Sequence, residues 1–290
     1  MNESTEQSES LPANWPRVFN VPAYIAFLAV AGVLAVSWLL VIAHDLLRIV
    51  GDVQYPMWGR LFADDRPIEW LQWFVLISCV VLSGYLAGKL TGNQARFFTL
   101  MGFSSALIFL EDASELRFML YLEYTRHWFG PEIIGYSTSA VHDTVYFLLI
   151  ASLPVYTAIR YARYVWHDDP TRRYLLGAFV FYGLAVLLST LRHVYGFYDH
   201  LGERIDQWIF FSRWPDSPYV PEGETHVALV NLLIGETLET LGAASLIAMI
   251  LAYAWYHRSA SPAASTVPDT DATAGHQEAV GGASLSKEPE

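Results

Sequence analysis

The chain has 290 residues, of which 53% are hydrophobic and 16% charged, and it carries a formal net charge of −12. Soluble domains are about a quarter charged, so this composition excludes an ordinary soluble enzyme and points to a membrane. The acidic balance leaves no basic surface for neutralising phosphates, which excludes nucleic acid as a partner, and the single Cys79 excludes structural disulfides and cysteine metal clusters.

In chain order, residues 1–20 and 258–290 are rich in Ser, Glu, Ala, Pro and Gly and cannot bury enough apolar surface to offset chain entropy. They are expected to be disordered tails. Between them, residues 21–257 read as one all-α transmembrane domain with six segments long enough to cross a hydrocarbon core, which needs about 20 residues of helix. These are expected at 22–43, 68–90, 97–121, 140–161, 175–195 and 226–256. The first follows three Glu and one Arg and has no small-residue cleavage site, so it reads as an anchor rather than a signal peptide.

Lys89 and Arg96 in the second-to-third connection, and Arg160, Arg163, Arg172 and Arg173 around the fourth-to-fifth, place those loops in the cytoplasm by the positive-inside rule. Both termini are then cytoplasmic, and the expected location is a prokaryotic cytoplasmic membrane. In the last outer loop, Ile205, Trp208, Ile209, Phe211 and Trp214 recur at near-helical spacing among charged residues, which suits a helix lying in the interface.

Ionisable residues inside spans carry the functional information, because a charge at the bilayer centre costs about 2.5–3.5 kcal/mol even on the lenient insertion scale. Glu111 and Glu115 in the third span are four apart and share a helical face with Ser104 and Ile108. In the sixth, Glu236 and Glu239 are three apart, ten residues or more beyond His226 and so roughly 15 Å along the helix. Glu69, His142, Asp143, Arg192 and His193 stand at the same end of their helices, whereas stretches 75–85, 97–104, 148–154, 175–185 and 244–252 contain no charged residue. The asymmetry implies one polar cavity, open outward and closed inward.

Helical bundles build carboxylate and His metal sites from inward-pointing side chains. The expected ligands for a divalent metal are therefore Glu111, Glu115, Glu236, Glu239, His142 and His193. His142, His193 and Asp143 are the candidate acid–base groups, and Arg192 is the candidate anchor for an anionic headgroup. The competing structural expectation is a salt-bridge network in which Arg117 and Arg192 neutralise Glu111, Asp112, Glu115 or Asp143. Glu236 and Glu239 lack a basic neighbour within two turns of their helix; an ionised pair there repels itself, so a cation binds between them or one holds a proton.

Ser189-x-x-x-His193 resembles one fragment of the zinc-dependent ceramidase-like membrane hydrolases, in which a Ser-x-x-x-His helix and a later His-x-x-x-His helix hold the metal. The sixth span here supplies Glu236 and Glu239 instead of the second element, so no family is assigned. Three functions stay open at this point: a metal-dependent hydrolase acting on a lipid or amphipathic substrate, a cation- or proton-coupled transporter, and a non-catalytic scaffold or assembly subunit. Gly235, Gly242 and Ser245 offer the sixth helix a close-packing edge, toward a neighbour in this chain or in a second copy.

Overall fold

The computed structural model describes residues 16–49, 56–133, 136–194, 196–215, 220 and 224–260. Most of both expected tails lies outside them. At their inner ends, Arg17–Asn20 form a 3₁₀ turn that buries Phe19, and the last helix continues to Ala260.

The elements are α1 (Ala23–Val41), α2 (Met57–Leu61), α3 (Pro67–Lys89), α4 (Gly92–Ser114), α5 (Leu116–Leu120), α6 (Arg126–Phe129), a two-residue hairpin of β1 (Glu132–Ile133) and β2 (Tyr136–Ser137), α7 (Thr138–Tyr161), α8 (Asp169–Leu191), α9 (Phe197–Ile209), α10 (Thr225–Ala228) and α11 (Glu236–Ala260). Among the described residues, six helical stretches are long and apolar enough to cross a membrane: Ala23–Leu46, Pro67–Lys89, Gly92–Ser114, Thr138–Tyr164, Asp169–Leu191 and Thr225–Arg258. The protein is thus a mostly helical, multi-pass bundle.

Local chemistry sets the helix starts. Pro67 occupies the first turn of α3, where a missing N–H costs nothing. The Asp168 carboxylate caps α8 by accepting from the Thr171 amide at 2.9 Å and the Thr171 hydroxyl at 2.6 Å. Ser137 caps α7 through the Ala140 amide at 3.2 Å.

The third span departs from its expected 97–121 range. It ends at Ser114 because Glu115 adopts a left-handed conformation, φ 46°, which breaks the hydrogen-bond ladder and redirects the chain into α5. Glu111 and Glu115 therefore do not share the face that an unbroken helix would give them. The sixth span is also irregular: α10 passes through a widened, π-helical stretch, Leu229–Gly235, before α11 begins at Glu236. Such widened turns are frequent at functional sites.

Helix α11 is the centre of the bundle, packed against α1, α3 and α8, and most of its membrane-spanning stretch is buried. Its small residues make this possible. A Cβ on Gly177 of α8 would stand 3.3 Å from Ser245 Oγ, and Gly242 lies against the Tyr182 ring. The partner of the close-packing edge is therefore α8 of the same chain. Helix α4 packs on α3 and α7, whereas α7 touches α8 sparsely and buries only Thr138, Asp143 and Thr157. Pro154 lies inside α7 and removes one bond from its ladder.

The last loop contains a helix, α9. Gly202 makes its crossing possible, since a Cβ there would stand 2.4 Å from the His226 carbonyl oxygen. The aromatic set expected on one face divides. Trp214 is buried against Trp58, Phe62 and Leu229, together with Phe210, which the expected set did not include, while Trp208 and Phe211 are about three-quarters exposed, at 77% and 76%.

Candidate functional site

A cavity of about 1030 Å³ lies among α3, α4, α7, α8 and α11. One part of its wall is polar: Glu69, Glu111, Asp112, Glu115, Arg117, Asp143, Arg192, His193, Asn231, Glu236 and Glu239. The rest is apolar, with Met101, Ile108, Phe147, Ile150, Val155, Phe179 and Val186. The gathering of polar groups at one end matches the asymmetry read from the sequence. Below it, Leu76, Cys79, Leu82, Leu86, Phe97, Phe98, Met249 and Tyr253 form a tightly buried apolar block.

Two polar clusters occupy the wall. In the first, Asp143 is a hub. It is 4% exposed, accepts from Arg192 Nη2 and from His193 Nε2, the latter at 2.8 Å, and has Arg117 Nε 3.8 Å from its other oxygen. Arg117 also lies 3.5 Å from Glu111 Oε1, and its backbone amide donates to Glu111 Oε2 at 3.3 Å. The break at Glu115 frees that amide, and the Glu111 carboxylate takes the bond the helix would have supplied. The salt-bridge expectation thus holds for Arg117, Arg192, Glu111 and Asp143; Glu115 stands outside the network, at the left-handed turn.

The second cluster centres on Gln72, which has no solvent exposure. Its amide nitrogen donates to Asp112 Oδ2 at 2.9 Å and to Glu239 Oε2 at 3.1 Å, and its oxygen accepts from Thr240 Oγ1 at 3.3 Å. The Trp73 indole adds a second donor to Asp112 Oδ2 at 2.8 Å. Glu69, on the same helix, accepts from the Asp65 amide. Glu236 lines the cavity, and its Oε2 is buried without a hydrogen-bond partner. At the rim, burial pushes the Tyr198 phenol up to about 12, so its hydroxyl keeps its proton at physiological pH.

The expected metal centre does not assemble. Among the described residues no group of three or more His, Cys, Asp or Glu side chains is placed to hold an ion. The reasons lie in the partners. Glu111 is taken by Arg117; Glu239 is held by Gln72; Glu115 sits at the left-handed turn that ends α4. His142 has both ring nitrogens engaged, Nδ1 with Thr125 Oγ1 at 2.9 Å and Nε2 donating to the Arg117 carbonyl at 3.0 Å, which fits it to brace the Arg117 turn. It does not appear in the cavity wall, unlike His193, Asp143 and Arg192.

Sequence reasoning passed over Gln72, Trp73 and Tyr182. Gln72 did leave a signal: an uncharged polar residue three positions after Glu69, in an apolar run, on the face of α3 that is buried. Trp73 and Tyr182 are aromatics in apolar runs and gave no signal. No protein-family model, no curated protein and no solved structure matches this chain.

Proposed function

We propose that this multi-pass protein draws an amphipathic, lipid-like molecule into the cavity and hydrolyses it at the polar end. The observation that carries the reading is the cavity itself, whose wall is charged and hydrogen-bonding at one end and aliphatic or aromatic over the rest. Ligand sites with apolar walls and a few convergent polar groups are the usual form for such molecules. The weakly packed seam between α7 and α8 offers the molecule a lateral opening from the bilayer. The buried apolar block beneath the cavity supports a site reached from one side over a transport route through the bundle.

The acid–base group is His193. Asp143 accepts from its Nε2, which fixes the ring and leaves Nδ1 to take a proton. Nδ1 removes a proton from water as the water oxygen bonds to the phosphoryl centre of the head. The bond to the leaving oxygen then breaks, and the proton passes from Nδ1 to that oxygen. Arg192 and Arg117, both beside Asp143 and both in the cavity wall, receive the anionic part of the head.

The test is a pair of measurements on the full-length protein in detergent: saturable binding of amphiphiles, and release of product from a mixed lipid extract. His193→Gln is expected to keep binding and to lose release by at least about a hundredfold, in the range general acid–base catalysis supplies. Absence of saturable binding to any amphiphile overturns the reading.

A further inference from the structure

The cavity wall contains three buried polar atoms that no protein group satisfies among the described residues: Arg117 Nη1, Tyr182 Oη and Glu236 Oε2. A buried donor or acceptor left unmade costs about 1–3 kcal/mol, and more when charged. Native interiors rarely tolerate such groups without a reason. Here the three converge on one cavity and differ in kind. Arg117 offers a cationic donor, Glu236 a carboxyl oxygen, and Tyr182 a hydroxyl.

Their placement along the wall constrains the ligand. Glu236 is the first residue of α11, and the Tyr182 ring lies against Gly242, six positions further along the same helix and thus roughly 9 Å deeper. Arg117 pairs with Glu111 and Asp143 while its guanidinium lies 4.7 Å from the centre of the Phe147 ring, so it stands where the charged and apolar parts of the wall meet. A purely anionic head would meet Glu236, Glu239 and Asp112. A purely cationic head would leave Arg117 Nη1 without an acceptor.

We infer that the ligand is an amphiphile with a zwitterionic head, its anionic group on Arg117 and its ammonium on Glu236, with an ester or hydroxyl oxygen deeper in the cavity at Tyr182. A phosphate joined to a primary ammonium, followed by an ester-linked chain, has this order of groups. The inference rests on the amphiphile-binding reading above and names its substrate class.

The test uses the full-length protein in dodecyl maltoside and three probes with matched twelve-carbon chains: lysophosphatidylethanolamine, lysophosphatidic acid and dodecylamine. Binding is followed by intrinsic fluorescence, since Trp73 lines the cavity, and by thermal shift. The zwitterion is expected to bind at least about tenfold more tightly than either singly charged probe, a difference of about 1.4 kcal/mol. Glu236→Gln is expected to lose about tenfold for the zwitterion and to leave lysophosphatidic acid no weaker. Tyr182→Phe, which keeps the ring and is suited to folding normally, is expected to weaken lysophosphatidylethanolamine several-fold and dodecylamine, which has no oxygen to offer, not at all. Saturable binding of all three probes with equal affinity, or a preference for a singly charged one, overturns the headgroup assignment and leaves the amphiphile site standing. Failure of all three to bind overturns both.

Discussion

A Cβ placed on Gly242 of α11 would stand 2.7 Å from both Cδ2 and Cε2 of Tyr182 on α8. The glycine is the seat of the tyrosine ring, and it holds a cavity-lining hydroxyl in place from the opposite helix. Gly242→Ala must displace that ring. It is expected to lower stability by about 1–3 kcal/mol, the usual range for an overpacked core, and to weaken amphiphile binding at the same time. Gly235, whose added Cβ would meet nothing nearer than the Val230 oxygen at 3.8 Å, serves as the control. Gly235→Ala is expected to change the melting temperature in detergent far less, and equal losses would contradict the seating role.

Gln72 joins two helices to α3 through one amide, donating to Asp112 on α4 and Glu239 on α11. Gln72→Leu removes the shared donor and leaves two buried acceptors, one of them with only Trp73. A loss of about 1–3 kcal/mol is expected from unfolding measurements in detergent. Trp73→Phe, which removes one of the two donors to Asp112, is expected to lose less. If Gln72→Leu melts like the native protein, the amide does not hold the helices together.

Asp143 sits among Arg117, Arg192 and His193. Removing its charge strands basic groups, a change that costs about 3–5 kcal/mol when both partners are fully buried. Arg117 and Arg192 keep 22% and 33% side-chain exposure, so the expected loss for Asp143→Asn is smaller, about 1–3 kcal/mol. His193→Gln is expected to be close to neutral for stability while abolishing hydrolysis. The two variants therefore separate folding from chemistry, and equal destabilisation by both would assign His193 to the structural network.

The expected orientation is tested at two exposed carboxylates, Asp169 at the start of α8 and Glu203 on α9. Cys79 is fully buried and is expected to stay unreactive, so single-cysteine variants at these positions report alone. An impermeant thiol reagent applied to intact cells is expected to label Glu203→Cys and not Asp169→Cys. The opposite pattern would invert the bundle and turn the polar end of the cavity inward.

Six apolar stretches were legible because hydrocarbon demands length and apolarity of any helix that crosses it, and the described residues contain six such helices. The polar end was legible for the same reason: charges in spans are expensive, so their clustering at one end marks a shared interior. Of the uncharged stretches, 75–85, 97–104, 175–185 and 244–252 contribute to the buried apolar block, whereas Leu148 and Leu149 of α7 are exposed.

What the sequence determined, then, is where charge lies along each helix. What only the tertiary structure decided is which charges meet. Glu111 and Glu115 have the spacing of one helical face, but spacing carries over to geometry only while the ladder is unbroken, and the left-handed turn at Glu115 breaks it. Pairing across helices depends on rotation and packing that no single helix encodes, so Arg117 reaches Glu111 and Asp143, Gln72 bridges Asp112 and Glu239, and His142 turns to the Arg117 carbonyl. Tyr182 looked like one more aromatic in an apolar run; its role arises from the absence of a side chain at Gly242, sixty positions away in the chain, because close packing lets one helix shape the surface of another.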